Sequence, residues 1–180
     1  MLDPGRLRVA GVALTAIGAL LAGIGSTLVW VTAGLRQDTR GVLDLEFRGL
    51  DLVEGIVALA VAGATSLAGV VALRRLQGDR RIRAAVALLV AGAVLVAMPV
   101  WVALRAEDRA VEEMARVVAG TGGLTQEEAI QLVRTDPDVA VYAETSGVWL
   151  SIAGGVLVII GAAVTLAWAR RRNELLAAEP

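Results

Sequence analysis

Thr145–Ala169 reads TSGVWLSIAGGVLVIIGAAVTLAWA, 25 residues without a charge, closed by Arg170-Arg171-Arg172. At ~1.5 Å rise per residue, a helix needs about 20 mostly apolar residues to cross a hydrocarbon core of ~30 Å. This stretch is long enough, and it lacks the polar face that helices of soluble proteins present to water. Three upstream runs share its character: Val9–Leu35 with 27 uncharged residues, Gly55–Leu73 with 19 and Ala84–Leu104 with 21. The chain therefore reads as an all-α membrane protein. Its four transmembrane helices form one bundle in a single domain over residues 1–180, with spans at about 9–33, 53–73, 84–104 and 147–169. Arg6 and Arg8 precede the first run as in a signal peptide, but its apolar stretch is too long for one and no A-x-A site follows before Trp30.

Arginines set the orientation. The N-terminal segment, the 74–83 connection and the C-terminal tail hold ten arginines against Asp3, Asp79, Glu174 and Glu179, a balance of +6. The opposite side holds seven arginines against fourteen carboxylates, a balance of −7, so the overall charge of −1 conceals a strong asymmetry. Positively charged connections stay inside, which places both termini in the cytoplasm and the chain in the inner (plasma) membrane. Aromatic placement agrees. Trp30, Trp101 and Trp149 fall at the expected outer ends of spans and Trp168 at an inner end, where indoles anchor at bilayer interfaces.

Composition excludes much chemistry. Hydrophobic residues make up 57% but aromatics only 3%, so the apolar excess is small and aliphatic. With no cysteine and no histidine, the chain holds no disulfide, Cys/His zinc site, haem histidine or histidine triad. All 17 basic residues are arginine, which removes lysine nucleophiles as well. No ionisable residue sits at mid-membrane depth, where proton-coupled carriers need one; Glu54 stands at the start of span two. Glu112-Glu113-Met114-Ala115-Arg116 is one residue short of the EExxxR pattern of intramembrane proteases. Gly120-Thr121-Gly122-Gly123 has no P-loop lysine, and the acidic residues match no EF-hand loop. The reading is a non-enzymatic protein with no cofactor, no metal and no nucleic-acid partner. Positive-inside topology accounts for Arg74–Arg83.

Thirteen of the 20 glycines lie inside the four runs. Small residues let helix backbones approach closely in lipid. Gly11, Thr15, Ala19 and Gly23 recur every four residues in span one, as do Gly147, Ser151 and Gly155 in span four, so both sets are expected to form packing ridges. These serve either the bundle itself or a subunit interface. Met98-Pro99 is expected to kink span three.

Outside the membrane, Leu43–Arg48 alternates apolar and charged residues between Gly41 and Gly49, the pattern of a short strand pairing back toward Leu35–Asp38. Residues 105–144 form a small helical cap of net charge −5. In it span three runs on to about Ala119 and the glycine cluster breaks the helix. Thr125 and Glu128 then cap a second helix, and Asp136-Pro137 opens a third toward Tyr142.

Trp30 followed by Gly49-Leu50-Asp51-Leu52 and Gly55, with Gly147-Val148-Trp149-Leu150 leading into Gly154-Gly155, resembles a group of small four-span bacterial proteins of unknown function. That group includes the tryptophan-operon-associated membrane proteins of actinobacteria. In topology alone the chain is also similar to tetraspanins and claudins, without their loop cysteines. The resulting expectation is an accessory, assembly or envelope-organising subunit that meets a membrane-protein partner, or a second copy, through its outer loops. The alternative is a passive binder or transporter of a small apolar molecule or lipid in a cavity between helices.

Overall fold

The computed structural model describes residues 4–35, 44–75, 79–135, 139–142 and 146–177. In chain order these form α1 (Pro4–Thr27), β1 (Val29–Leu35), β2 (Asp44–Arg48), a 3-10 turn (Gly49–Asp51) and α2 (Val53–Arg75). There follow α3 (Asp79–Leu104), α4 (Ala106–Gly122), α5 (Gln126–Thr135), β3 (Val139–Tyr142) and α6 (Ser146–Ala177). Among the described residues, Arg6–Thr27, Arg80–Leu104 and Ser146–Arg172 are long and apolar enough to cross a membrane, with mean hydropathies of 2.0, 2.5 and 2.3. Helix α2 adds a shorter apolar stretch, Val53–Gly69. The four long helices close a ring in which α6 lies against α1 and α3, and α2 against the same two helices. The end carrying Pro4 and Ala177 is here termed the tail end, and the other the cap end.

The closest approach in the bundle is between α1 and α6, and glycines permit it. A Cβ on Gly154 would stand 2.5 Å from the carbonyl oxygen of Gly18, and one on Gly18 would stand 2.7 Å from the amide nitrogen of Val158. Gly11 meets Gly161 and Gly25 meets Gly147 in the same way. The three pairs repeat every seven residues on both helices, with Thr15, Ala22, Ser151 and Val158 between them. A seven-residue step drifts only about 20° around a straight helix, so the glycines stay on one seam. A four-residue step turns about 40° and leaves the seam. That is why Gly23 faces Leu59 and Ala62 of α2, and Gly155 faces Leu95 and Val96 of α3. The seam hydroxyls do not stay unpaired: Thr15 and Thr165 donate to the carbonyls of Gly11 and Gly161, both at 2.9 Å.

Ala19, Ala22, Ala58, Ala62 and Ala162 are buried, while Ile17, Leu20, Ile24, Ile56, Leu67 and Val90 project outward. Water would penalise such an apolar belt, and a bilayer solvates it. Pro99 is buried within α3, which continues to Leu104. Its ring leaves the Leu95 carbonyl without its usual helical donor, at the level where Gly155 of α6 packs on Leu95.

Four expectations need correction. Helix α1 stops at Thr27 rather than near 33, and the chain turns into β1. The cap is not purely helical, because β2, β1 and β3 form a three-stranded antiparallel sheet in that order. The expected strand at 44–48 does pair backward as a hairpin, Thr32 opposite Glu46. Val139–Tyr142 is a strand, not a helix, and sets Tyr142 opposite Thr32 on the other edge of β1. Its proposed start at Asp136-Pro137 lies outside the described residues, as do Leu43 and Arg36–Asp38. Finally, α3 does not run unbroken into the cap. Arg105 leaves helical geometry at φ −116°, ψ 17°, and α4 starts afresh.

Candidate functional site

Trp30 joins the bundle to the cap. The β1–β2 register passes from Val29 opposite Arg48 to Val31 opposite Phe47, so Trp30 is the extra residue of a bulge. A bulge breaks the inward–outward alternation of a strand. Consequently Trp30 and Val31, adjacent in sequence, are both fully buried. The indole Nε1 donates to the Gly25 carbonyl at 2.8 Å. Two glycines make room for the ring. A Cβ on Gly49 would stand 2.8 Å from Nε1, and one on Gly147 would stand 2.7 Å from Cδ1. Gly55 in turn packs on the Gly49 backbone. The buried core runs through this joint from Ala22 and Val148 to Met114, Ala129 and Val133 of the cap.

Helix α4 packs on α5 and on β1 and β3 of the sheet, and one ion pair reaches the start of α2. The buried face of α4 is Ala106, Ala110, Glu113, Met114 and Ala115, and Glu107 and Asp108 occupy its first turn, where the helix dipole favours anions. Gly123 ends it with φ 64°, a left-handed conformation that glycine adopts at little cost. Between α4, α2 and the end of α3 is a groove of about 440 Å³. Apolar Leu52, Val57 and Met98 line it together with Glu54, Arg109, Glu113, Arg116, Asp51 and Trp101. Arg109 of α4 pairs with Glu54 in the first turn of α2 and also approaches Glu112 at 3.4 Å. Glu113 is buried and pairs with Arg116 at 2.6 Å. Replacing Glu54 and Arg109 singly and together by glutamine is expected to give a coupling of about 1 kcal/mol in a double-mutant cycle on thermal unfolding. A coupling near zero would show that α4 is held by its apolar face alone.

The capping box expected at Thr125 and Glu128 opens α5. The Thr125 amide and hydroxyl donate to the Glu128 carboxylate at 2.9 and 2.7 Å. These bonds hold the carboxyl below the ordinary glutamate range, the backbone bond contributing most. A lowered folded pKa means stability present above the unfolded pKa and lost as pH falls through the folded one. Protection of the α5 amides, taken relative to the intrinsic exchange rate at each pH, should therefore fall on acidification, and Glu128→Gln should abolish that step. Arg134 reaches Asp108 at 3.4 Å and ties α5 to α4.

The ridge and anchor residues occupy several environments. Gly11, Thr15, Gly147 and Ser151 lie on the α1–α6 seam, Ala19 is buried, and Gly23 and Gly155 face α2 and α3. Trp101 and Trp149 are exposed at the cap end, Trp101 beneath the Arg105 guanidinium at 4.3 Å from its ring centre. Trp30 is interior rather than interfacial, since the bulge turns it inward. Trp168 is buried at the tail end. Among the described residues no three carboxylates gather closely enough to hold a metal ion. A second, apolar groove of about 330 Å³ runs between α1 and α2 past Gly23, Leu59 and Gly63.

These features can be set against known proteins. Residues 12–177 match the family described as tryptophan-associated transmembrane protein. The chain belongs to that family. The match spans both halves of the glycine seam and the whole cap, so membership places this fold in a membrane. No curated protein matches the chain. Trp30, Gly49, Gly55 and Gly147, four of the residues whose pattern pointed to this group, form one packed joint here.

Proposed function

We propose that the protein is a four-span, non-enzymatic subunit of the inner (plasma) membrane. Both termini would be cytoplasmic, and the cap would stand outside as part of one domain with the bundle. It works by association, as an accessory or assembly subunit whose cap meets a partner membrane protein or a second copy. The carrying observation is the cap-end groove, whose arginines are already paired within the chain. Paired groups such as Glu54–Arg109 and Glu113–Arg116 shape a surface without demanding a substrate. Exposed Val53, Trp101, Leu104 and Trp149 ring the same end and supply apolar contact area. The arginine asymmetry supports the orientation.

Affinity purification of the full chain from its native membrane, after mild solubilisation, tests this. A defined partner or a second copy should co-purify, and Trp101→Ala with Leu104→Ala should release it while the fold persists. Recovery of a lone chain with the variant behaving as wild type would contradict the proposal. The α1–α2 groove favours a second reading, a lipid or small apolar ligand held from the side. Gly63→Leu should then displace a retained lipid detectable by native mass spectrometry. The same change should leave partner recovery intact.

A further inference from the structure

The tail end holds an arrangement that association through the cap does not use. Trp168 of α6 is buried, and three guanidinium groups from three helices surround it. Arg81 of α3 lies 4.6 Å from the ring centre, Arg172 of α6 at 5.8 Å and Arg8 of α1 at 5.9 Å. All fall within the roughly 6 Å at which a cation is drawn to an indole face. Arg81 is only 6% exposed, and its Nε is buried without a hydrogen-bond partner. Among the described residues neither Arg81 nor Arg172 forms an ion pair.

A buried guanidinium with an idle donor beside the like charge of Arg172 is costly. The indole attracts each cation but leaves their mutual repulsion in place. An anion with several acceptor oxygens would remove both penalties, since guanidinium forks match phosphate oxygens. Arg81 also lies in the first turn of α3, whose free amide groups and positive dipole end favour the same charge. Position narrows the source. The cluster lies where the apolar helices end, at headgroup depth.

We propose that Arg81 and Arg172 beside Trp168 bind a phosphate group at the membrane surface, that of an anionic phospholipid headgroup. The site requires only that the helices cross a bilayer, and it stands for either orientation of the cap. The test titrates the purified full chain in neutral detergent with phosphatidylglycerol, phosphatidylcholine or inorganic phosphate, reading thermal unfolding and lipid retained in native mass spectra. Phosphatidylglycerol should bind at least about fivefold more tightly than phosphatidylcholine. Arg81→Gln and Arg172→Gln should each lose about fivefold for the anionic lipid with the zwitterionic one unchanged. Arg172 is exposed, so its variant retains the fold even if the buried Arg81 replacement does not. Stabilisation by inorganic phosphate that both variants abolish, without lipid preference, would keep the phosphate site and assign it to a free anion. Equal binding of the two lipids with no effect of phosphate would overturn the proposal. So would a preference unchanged in Arg172→Gln.

Discussion

Gly154→Ala should destabilise the bundle by about 1–3 kcal/mol, the range for forcing a methyl group into a closely packed interior. The same change at Gly63 should be neutral or stabilising by about 0.5–1 kcal/mol, the helix-propensity gain of alanine over glycine. The two positions differ in what a methyl group would meet. At Gly154 it would stand 2.5 Å from the Gly18 carbonyl oxygen and 2.9 Å from the Ala22 Cα. Both belong to the backbone of α1, so relief requires the helices to separate. At Gly63 nothing stands within 4 Å. Reversible unfolding in mixed micelles reads both values. Equal tolerance would show that α1 and α6 are not in contact as described.

Trp30→Ala should cost about 3–5 kcal/mol, the range for truncating a buried large aromatic. Trp149→Ala should stay within about 0.5 kcal/mol, since Trp149 is exposed. Trp30→Phe belongs between them: it keeps most of the ring and loses the donor to the Gly25 carbonyl. Because the core is continuous through Trp30, the loss should appear in both the cap and the bundle. Amide exchange across β1, α4 and the end of α1 would show it. Loosening of the cap alone would contradict the joint.

The helices were legible because their signal is the absence of charge over about 20 residues, a pattern that depends on solvent and not on neighbours. The α1–β1 boundary was hidden for the same reason. Val29–Leu35 is also uncharged, so the apolar run continued past the point where the backbone changes geometry. Trp30 then stood at an apparent span end, where an interface anchor is the ordinary reading. Only the bulge, a property of pairing with Arg48 and Phe47, turns it inward. The β3 strand carried a signal in its β-branched, alternating Val139-Ala140-Val141-Tyr142, which the Asp-Pro pattern before it outweighed. A four-residue spacing picks out Gly11, Thr15, Ala19 and Gly23, whereas the seam glycines repeat every seven residues. Gly18, Gly25, Gly154 and Gly161 were thus missed, although the spacing stands in the sequence. The groove was not legible at all. Glu54 and Arg109 are 55 residues apart, and nothing local to either announces the other.

In the proposed topology four helices cross the membrane, with the cap on one face and both termini on the other. With no native cysteine in the chain, a single introduced thiol is a unique reporter. The direct measurement labels Arg6→Cys, Gly120→Cys and Arg171→Cys in intact cells with a membrane-impermeant maleimide, before and after permeabilisation. All three positions are exposed. Gly120→Cys should be labelled in intact cells, and the other two only after permeabilisation. Labelling of Arg171→Cys but not Gly120→Cys in intact cells would contradict it, as would Arg6→Cys and Arg171→Cys reacting on opposite faces.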